Sequence, residues 1–212
     1  MLRPLRTRAR RRPVLRFAPD AWAKLVALRD FGPTEIGAFG IADAADPLAV
    51  VDVRLVTQRC DAARVEFADE AVADLFDRLV DAGRRPEEFA RIWIHTHPGN
   101  SPAPSVVDEE TFARVFGRCD WAVMAILARS GATSARLRVR SVVPLEVELA
   151  TAVDFGRPFA ASDLAAWRAE YRACVSPRAP ADRGSPFADP GAPWDDWTWN
   201  RAHEEDRDEL PA

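Results

Sequence analysis

Residues 91–117 read RIWIHTHPGNSPAPSVVDEETFARVFG, and the fold turns on them. RIWIH is a β-rich run that ends where Pro98 withdraws a backbone donor. The loop PGNSPAPS follows, and VVDEETFARVFG then carries apolar residues at helical spacing with Gly117 as a stop. The segment therefore predicts strand, loop and helix in quick succession. Two of the chain's three histidines stand at the end of that strand.

Upstream, VLRF (14–17) reads as a short strand. PDAWAKLVALRDFG (19–32) reads as a helix with Asp20 as N-cap and Gly32 as its stop. TEIGAFGI (34–41) and LAVVDVRLVT (48–57) are β-rich runs parted by the turn-like ADAADP. DEAVADLFDRLVDAG (69–83) is an amphipathic helix with Val72, Leu75, Phe76, Leu79 and Val80 on one face and Gly83 closing it. Downstream, WAVMAILA, ARLRVRSV and LEVELA give three more strands, and SDLAAWRAEYRACV (162–175) a helix capped by Ser162. This order predicts one α/β domain over 14–175, a sandwich in which helices flank a mixed central sheet. Residues 1–13 read as a disordered basic arm. Residues 176–212 read as an acidic tail, where Trp194, Trp197 and Trp199 suit docking, on a partner or back on the domain.

Composition narrows the functional classes. Of 212 residues, 48% are hydrophobic, enough for one sizeable core. A net charge of −4 argues against nucleic acid as the partner. No apolar run approaches the roughly 18 residues of a membrane span, and no apolar stretch follows the basic N-terminus, so a cytoplasmic protein is expected. Cys60, Cys119 and Cys174 form neither a C-x-x-C pair nor a disulfide framework. Neither a P-loop nor a G-x-G-x-x-G follows a strand, which leaves nucleotide cofactors without support. Of 29 basic residues only Lys24 is a lysine. A GC-rich, bacterial genome accounts for this bias. The alternative is that an enzyme working beside a lysine-modifying system escapes modification itself.

Side chains alternate along a strand, so His95 and His97 share a face while Thr96 points away. Asp108 comes eleven residues after His97, in the first turn of the next helix. The loop can fold back to bring its carboxylate to the imidazoles. Two nitrogens and one oxygen leave a fourth tetrahedral position for water, the pattern of a catalytic zinc site. The same residues admit a plainer reading, in which Ser105 caps the helix and Asp108 completes a capping box. The two readings are compatible, since a helix start is a good place to fix a ligand.

HTHPGNSPAPSVVD (95–108) resembles the JAMM motif of the JAB/MPN metalloprotease family, whose members include zinc deubiquitinases. The resemblance covers residues 14–150. It implies a deaminase-like α/β sandwich and one Zn2+ bound by His95, His97 and Asp108. It also implies that Ser105 steadies the tetrahedral intermediate and that an upstream glutamate is the general base. Glu35 matches that glutamate, because it opens an apolar strand where a carboxylate is costly without a purpose. Glu66, Glu70, Glu109 and Glu110 sit at helix starts or strand ends instead. The implied function is an isopeptidase or peptidase cleaving after the C-terminus of a ubiquitin-like protein or its conjugate, alongside an E1-like activating system. Processing of a sulfur-carrier adduct and a non-catalytic MPN-like scaffold are the alternatives. A DNA-associated protein like the RadC group would carry an upstream helix-hairpin-helix. A zinc nucleobase deaminase would need P-C-x-x-C, which the chain lacks.

Overall fold

In the computed structural model, described over residues 12–178, an α/β sandwich forms around one mixed sheet. Most of the basic arm and nearly all of the tail, including Trp194, Trp197 and Trp199, lie outside the described residues. The elements run β1 (Val14–Phe17), α1 (Pro19–Asp30), β2 (Gly37–Asp43), β3 (Asp46–Arg54), β4 (Gln58–Cys60), β5 (Val65–Phe67), α2 (Asp69–Asp81) and α3 (Pro86–Phe89). They continue with β6 (Ile92–His97), α4 (Val106–Phe116), β7 (Trp121–Ala128), β8 (Thr133–Val139), β9 (Leu145–Glu148), β10 (Ala150–Val153), α5 (Leu164–Cys174) and β11 (Val175–Pro177).

The large sheet has the order β10-β1-β3-β2-β6-β7-β8-β9, with β1 parallel to both its neighbours and β6 parallel to β7. Parallel β6 and β7 need a crossover, and α4 supplies it. Alternation then sorts the core into two layers. Ile92 and Ile94 of β6 and Val123, Ala125 and Leu127 of β7 face α1, against Leu25 and Leu28. Trp93 of β6 and Met124 and Ile126 of β7 face the opposite way, against Phe112 and Phe116 of α4 and Leu75 of α2. A second, three-stranded sheet, β11-β4-β5, packs beside the start of β2 without joining its backbone ladder.

Several expectations need correction. Asp20 is not a cap, because α1 begins one residue earlier with Pro19, whose fixed φ suits the first helical position. On α2 the apolar stripe is narrower than predicted: Leu75 is buried, while Val80 turns off the face and is 52% exposed. Asp163, not Ser162, caps α5 by accepting from the Ala166 amide. Beyond α5 the chain continues as β11 to Pro177, pairing with β4 where the sequence reads as tail.

Candidate metal centre

The centre sits at the carboxyl end of β6, where the crossover into α4 begins. His95 and His97 lie on the α4 side of the sheet, as the period of two requires. Thr96 faces the other way, where its Oγ1 accepts from the Ile36 amide at 3.1 Å. His95 is fully buried and stacks on Trp93, with ring centroids 4.4 Å apart. His97 is oriented by its own loop, since its Nδ1 lies 2.9 Å from the Ser101 carbonyl. A proton on Nδ1 donates to that carbonyl and leaves Nε2 with its lone pair directed into the site, the usual outer partner of a metal-bound imidazole. The loop is pinned in turn by the Arg129 amide, which donates to the carbonyls of His97 and Gly99.

Asp108 arrives from the first turn of α4. Its backbone amide donates to Ser105 Oγ at 3.2 Å, and its Oδ2 accepts from the Ser105 amide and hydroxyl at 2.7 and 2.8 Å. The capping box is therefore real, and it holds the carboxylate toward the imidazoles. His95 Nε2 is 3.3 Å from Asp108 Oδ1, and His97 Nε2 is 3.5 Å from Oδ2. Neither nitrogen makes a hydrogen bond to any described residue, although both are buried. Buried polar atoms left unpaired cost about 1–3 kcal/mol each, so two at one spot call for a ligand. Donor atoms of the three side chains lie within 4.8 Å of one another, close enough to hold a metal ion. Ligands placed tetrahedrally at about 2.0–2.1 Å from zinc stand roughly 3.3 Å apart, close to the two imidazole–carboxylate separations here.

The electrostatics agree with that donor set. Burial lowers the pKa of His95 despite the opposing pull of Asp108, which favours the neutral imidazole a metal needs. Burial alone would raise Asp108, but the two imidazoles and the Ser105 amide outweigh it and hold the carboxyl well below its usual range. Glu35 stands 3.8 Å from His97 Nε2 through Oε1. Burial first, then the charges of Asp108 and Asp61, push its carboxyl up to about 9.

All five predicted site residues thus converge here, Glu35 and the three donors directly and Ser105 through Asp108. The Ser105 hydroxyl hydrogen points at Asp108, so donation to an oxyanion requires the hydroxyl to turn. The other glutamates lie elsewhere: Glu66 pairs with Arg178 and Glu109 with Arg136, while Glu70 and Glu110 are exposed. Sequence reasoning missed Asp61, whose charge acts on Glu35, and the Ser101 carbonyl, a backbone group that leaves no pattern in the residue types. No protein-family model matches the chain, and no curated protein does.

Proposed function

We propose that the chain is a zinc-dependent peptidase or isopeptidase of the JAB/MPN type, cleaving after the C-terminus of a ubiquitin-like protein. One observation carries the reading: two buried imidazole nitrogens without hydrogen-bond partners face the Asp108 carboxylate, and Glu35 waits 3.8 Å from His97. His95, His97 and Asp108 would hold the ion, and two imidazoles with one carboxylate suit zinc. Lewis-acid polarisation of a carbonyl and acidification of a water toward a pKa of about 7 are the chemistry zinc supplies when bound.

The chain's own groups do the rest. Glu35 takes a proton from the attacking water and returns it to the leaving amine, the work of a buried carboxyl with a raised pKa. Burial is the larger cause of the raised Glu35 carboxyl and Asp108 the second, and a cation held by Asp108 would offset that second contribution. Ser105 fixes the Asp108 carboxylate and, with its hydroxyl turned, donates to the developing oxyanion, a contact worth roughly 3 kcal/mol. The motif of residues 95–108 supplies the substrate class, a ubiquitin-like conjugate made by an E1-like system in the cytoplasm. No helix among the described residues is long and apolar enough to cross a membrane.

The test uses the full chain loaded with zinc and a ubiquitin-like protein carrying an amide-linked C-terminal fluorophore. Wild type should bind one zinc and release the fluorophore. Glu35→Gln should bind zinc equally and lose nearly all turnover. A wild type that binds no zinc, or a Glu35→Gln variant that still cleaves, would overturn the reading.

A further inference from the structure

We infer that Gln58 is a positioning residue: its side-chain amide holds the Glu35 segment in register with the histidine strand. The inference rests on the peptidase reading above. It begins with a gap in the sheet. The β2–β3 ladder starts at Phe39 opposite Arg54, and by then β3 has turned away from the preceding residues of β2. Gly37 is left with no β3 partner, although its other neighbour, β6, continues and sets His95 opposite it.

Gln58 fills that gap. Its Oε1 accepts from the Gly37 amide at 2.8 Å, and its Nε2 donates to the Gly37 carbonyl at 2.9 Å. One side-chain amide thus reproduces what a strand would offer. The second Nε2 hydrogen goes to the Val56 carbonyl at 3.0 Å, and the Cys60 thiol donates to Oε1 at 3.2 Å. Gln58 is 1% exposed with its amide fully engaged. Gly37 has no room for a side chain, since a Cβ would meet the Phe67 ring at 2.6 Å and Val65 Cγ1 at 2.8 Å. Gln58, Gly37 and His95 therefore form one row across the strands. Glu35 lies two residues before Gly37, with its own amide donating to the Asp61 carbonyl at 2.9 Å. β11 backs the arrangement by setting Val175 against Gln58.

A general base displaced by about 1 Å loses on the order of 100-fold in rate. Gln58→Met keeps the length and removes the amide, so Gly37 loses both hydrogen bonds. The variant should bind zinc within about threefold of wild type and keep KM, while kcat falls roughly 100-fold. In the metal-free full chain, hydrogen exchange at Gly37 should accelerate at least tenfold while amides of β6 and β7 stay unchanged. Gln58→Asn, which keeps an amide one methylene short, guards against a variant that fails to fold and should give the same pattern with smaller amplitude. Unchanged Gly37 exchange, exchange that rises equally across the whole sheet, or KM rising with kcat unchanged would each overturn the inference. If wild type cleaves nothing, the peptidase reading fails, and the Gly37 exchange in the metal-free chain decides the positioning role by itself.

Discussion

Thr96, the residue between the two histidines, is bonded on both its backbone and side chain to Ile36, the residue after Glu35. The Ile36 amide donates to Thr96 Oγ1 at 3.1 Å, and the Thr96 amide donates to the Ile36 carbonyl at 3.0 Å. The candidate base and the ligand strand are thereby joined through the face of β6 that points away from the metal centre. Thr96→Val keeps the shape and leaves the Ile36 amide unpaired in a buried place, so it should cost about 1–3 kcal/mol. Urea unfolding would measure this, and zinc stoichiometry should stay at one ion.

The raised Glu35 carboxyl sets the sign of a pH dependence expected of the metal-free protein. Its carboxyl is raised from 4.5 to about 9, so between those values the folded chain keeps a proton that the unfolded chain has released. Stability is full below the unfolded value and declines as pH climbs toward 9, by at most about 1.4 kcal/mol per unit. Glu35→Gln has no such proton to keep. The chelated variant should match wild type near pH 4.5 and unfold at higher urea at pH 8. Equal slopes for the two proteins would contradict the assignment.

Asp108 and Ser105 separate ligation from capping. Asp108→Asn loses the ligand charge and should abolish zinc binding and turnover together. Ser105→Ala should retain zinc with affinity weaker by about 10–100-fold, because the carboxylate loses a partner that orients it. Its loss of stability should be about 1 kcal/mol, as for other helix caps. Isothermal titration with zinc and thermal unfolding distinguish the two outcomes.

Lys24 is the chain's one lysine, and it is sheltered. Its Nζ lies 2.7 Å from Glu170 Oε2 and 3.6 Å from Asp52 Oδ1, with 7% of the side chain exposed. Glu170 in turn accepts from the Leu55 amide at 3.1 Å, so the ammonium anchors α5 to α1 and to the chain after β3. An amine-reactive ester should therefore leave Lys24 unlabelled in the folded chain and label it in urea, as read by peptide mass. Lys24→Ala should destabilise by roughly 3 kcal/mol, at the low end for a broken buried pair because Glu170 keeps 24% of its side chain exposed.

What was legible in the sequence follows from how local its cause is. His95, His97, Ser105 and Asp108 sit on elements whose periodicity and caps are strong, and the α/β sandwich follows from those same periodicities. β4, β5 and β11 are three-residue strands, too short for any alternation to register, and QRC carries no β signal at all. Gln58 is illegible for the same reason, since it sits in that short polar run and its partner Gly37 lies 21 residues away. The cap of α1 falls on Ala18, two residues before Asp20, and that of α5 on Asp163, one after Ser162. In the first case Pro19 suits the first helical position, and in the second Asp163 is as good a cap as its neighbour.

Leu149 joins β9 to β10, so the two strands at the ends of the large sheet are successive halves of one segment, and Leu149 itself donates to the Ala135 carbonyl. Each half is four residues long. Among the described residues the large sheet consequently ends in short margins, poor templates on which another copy could add a strand and seed aggregation. The β9 half is also guarded by charge, with Glu146 held by Arg138 at 3.0 Å and Glu148 by Arg12 at 3.3 Å. Replacing both glutamates with valine would turn LEVE into an uninterrupted apolar strand beside the exposed Val142 and Val143. Loss of colloidal stability at high concentration is the consequence to expect, without any loss of the fold itself.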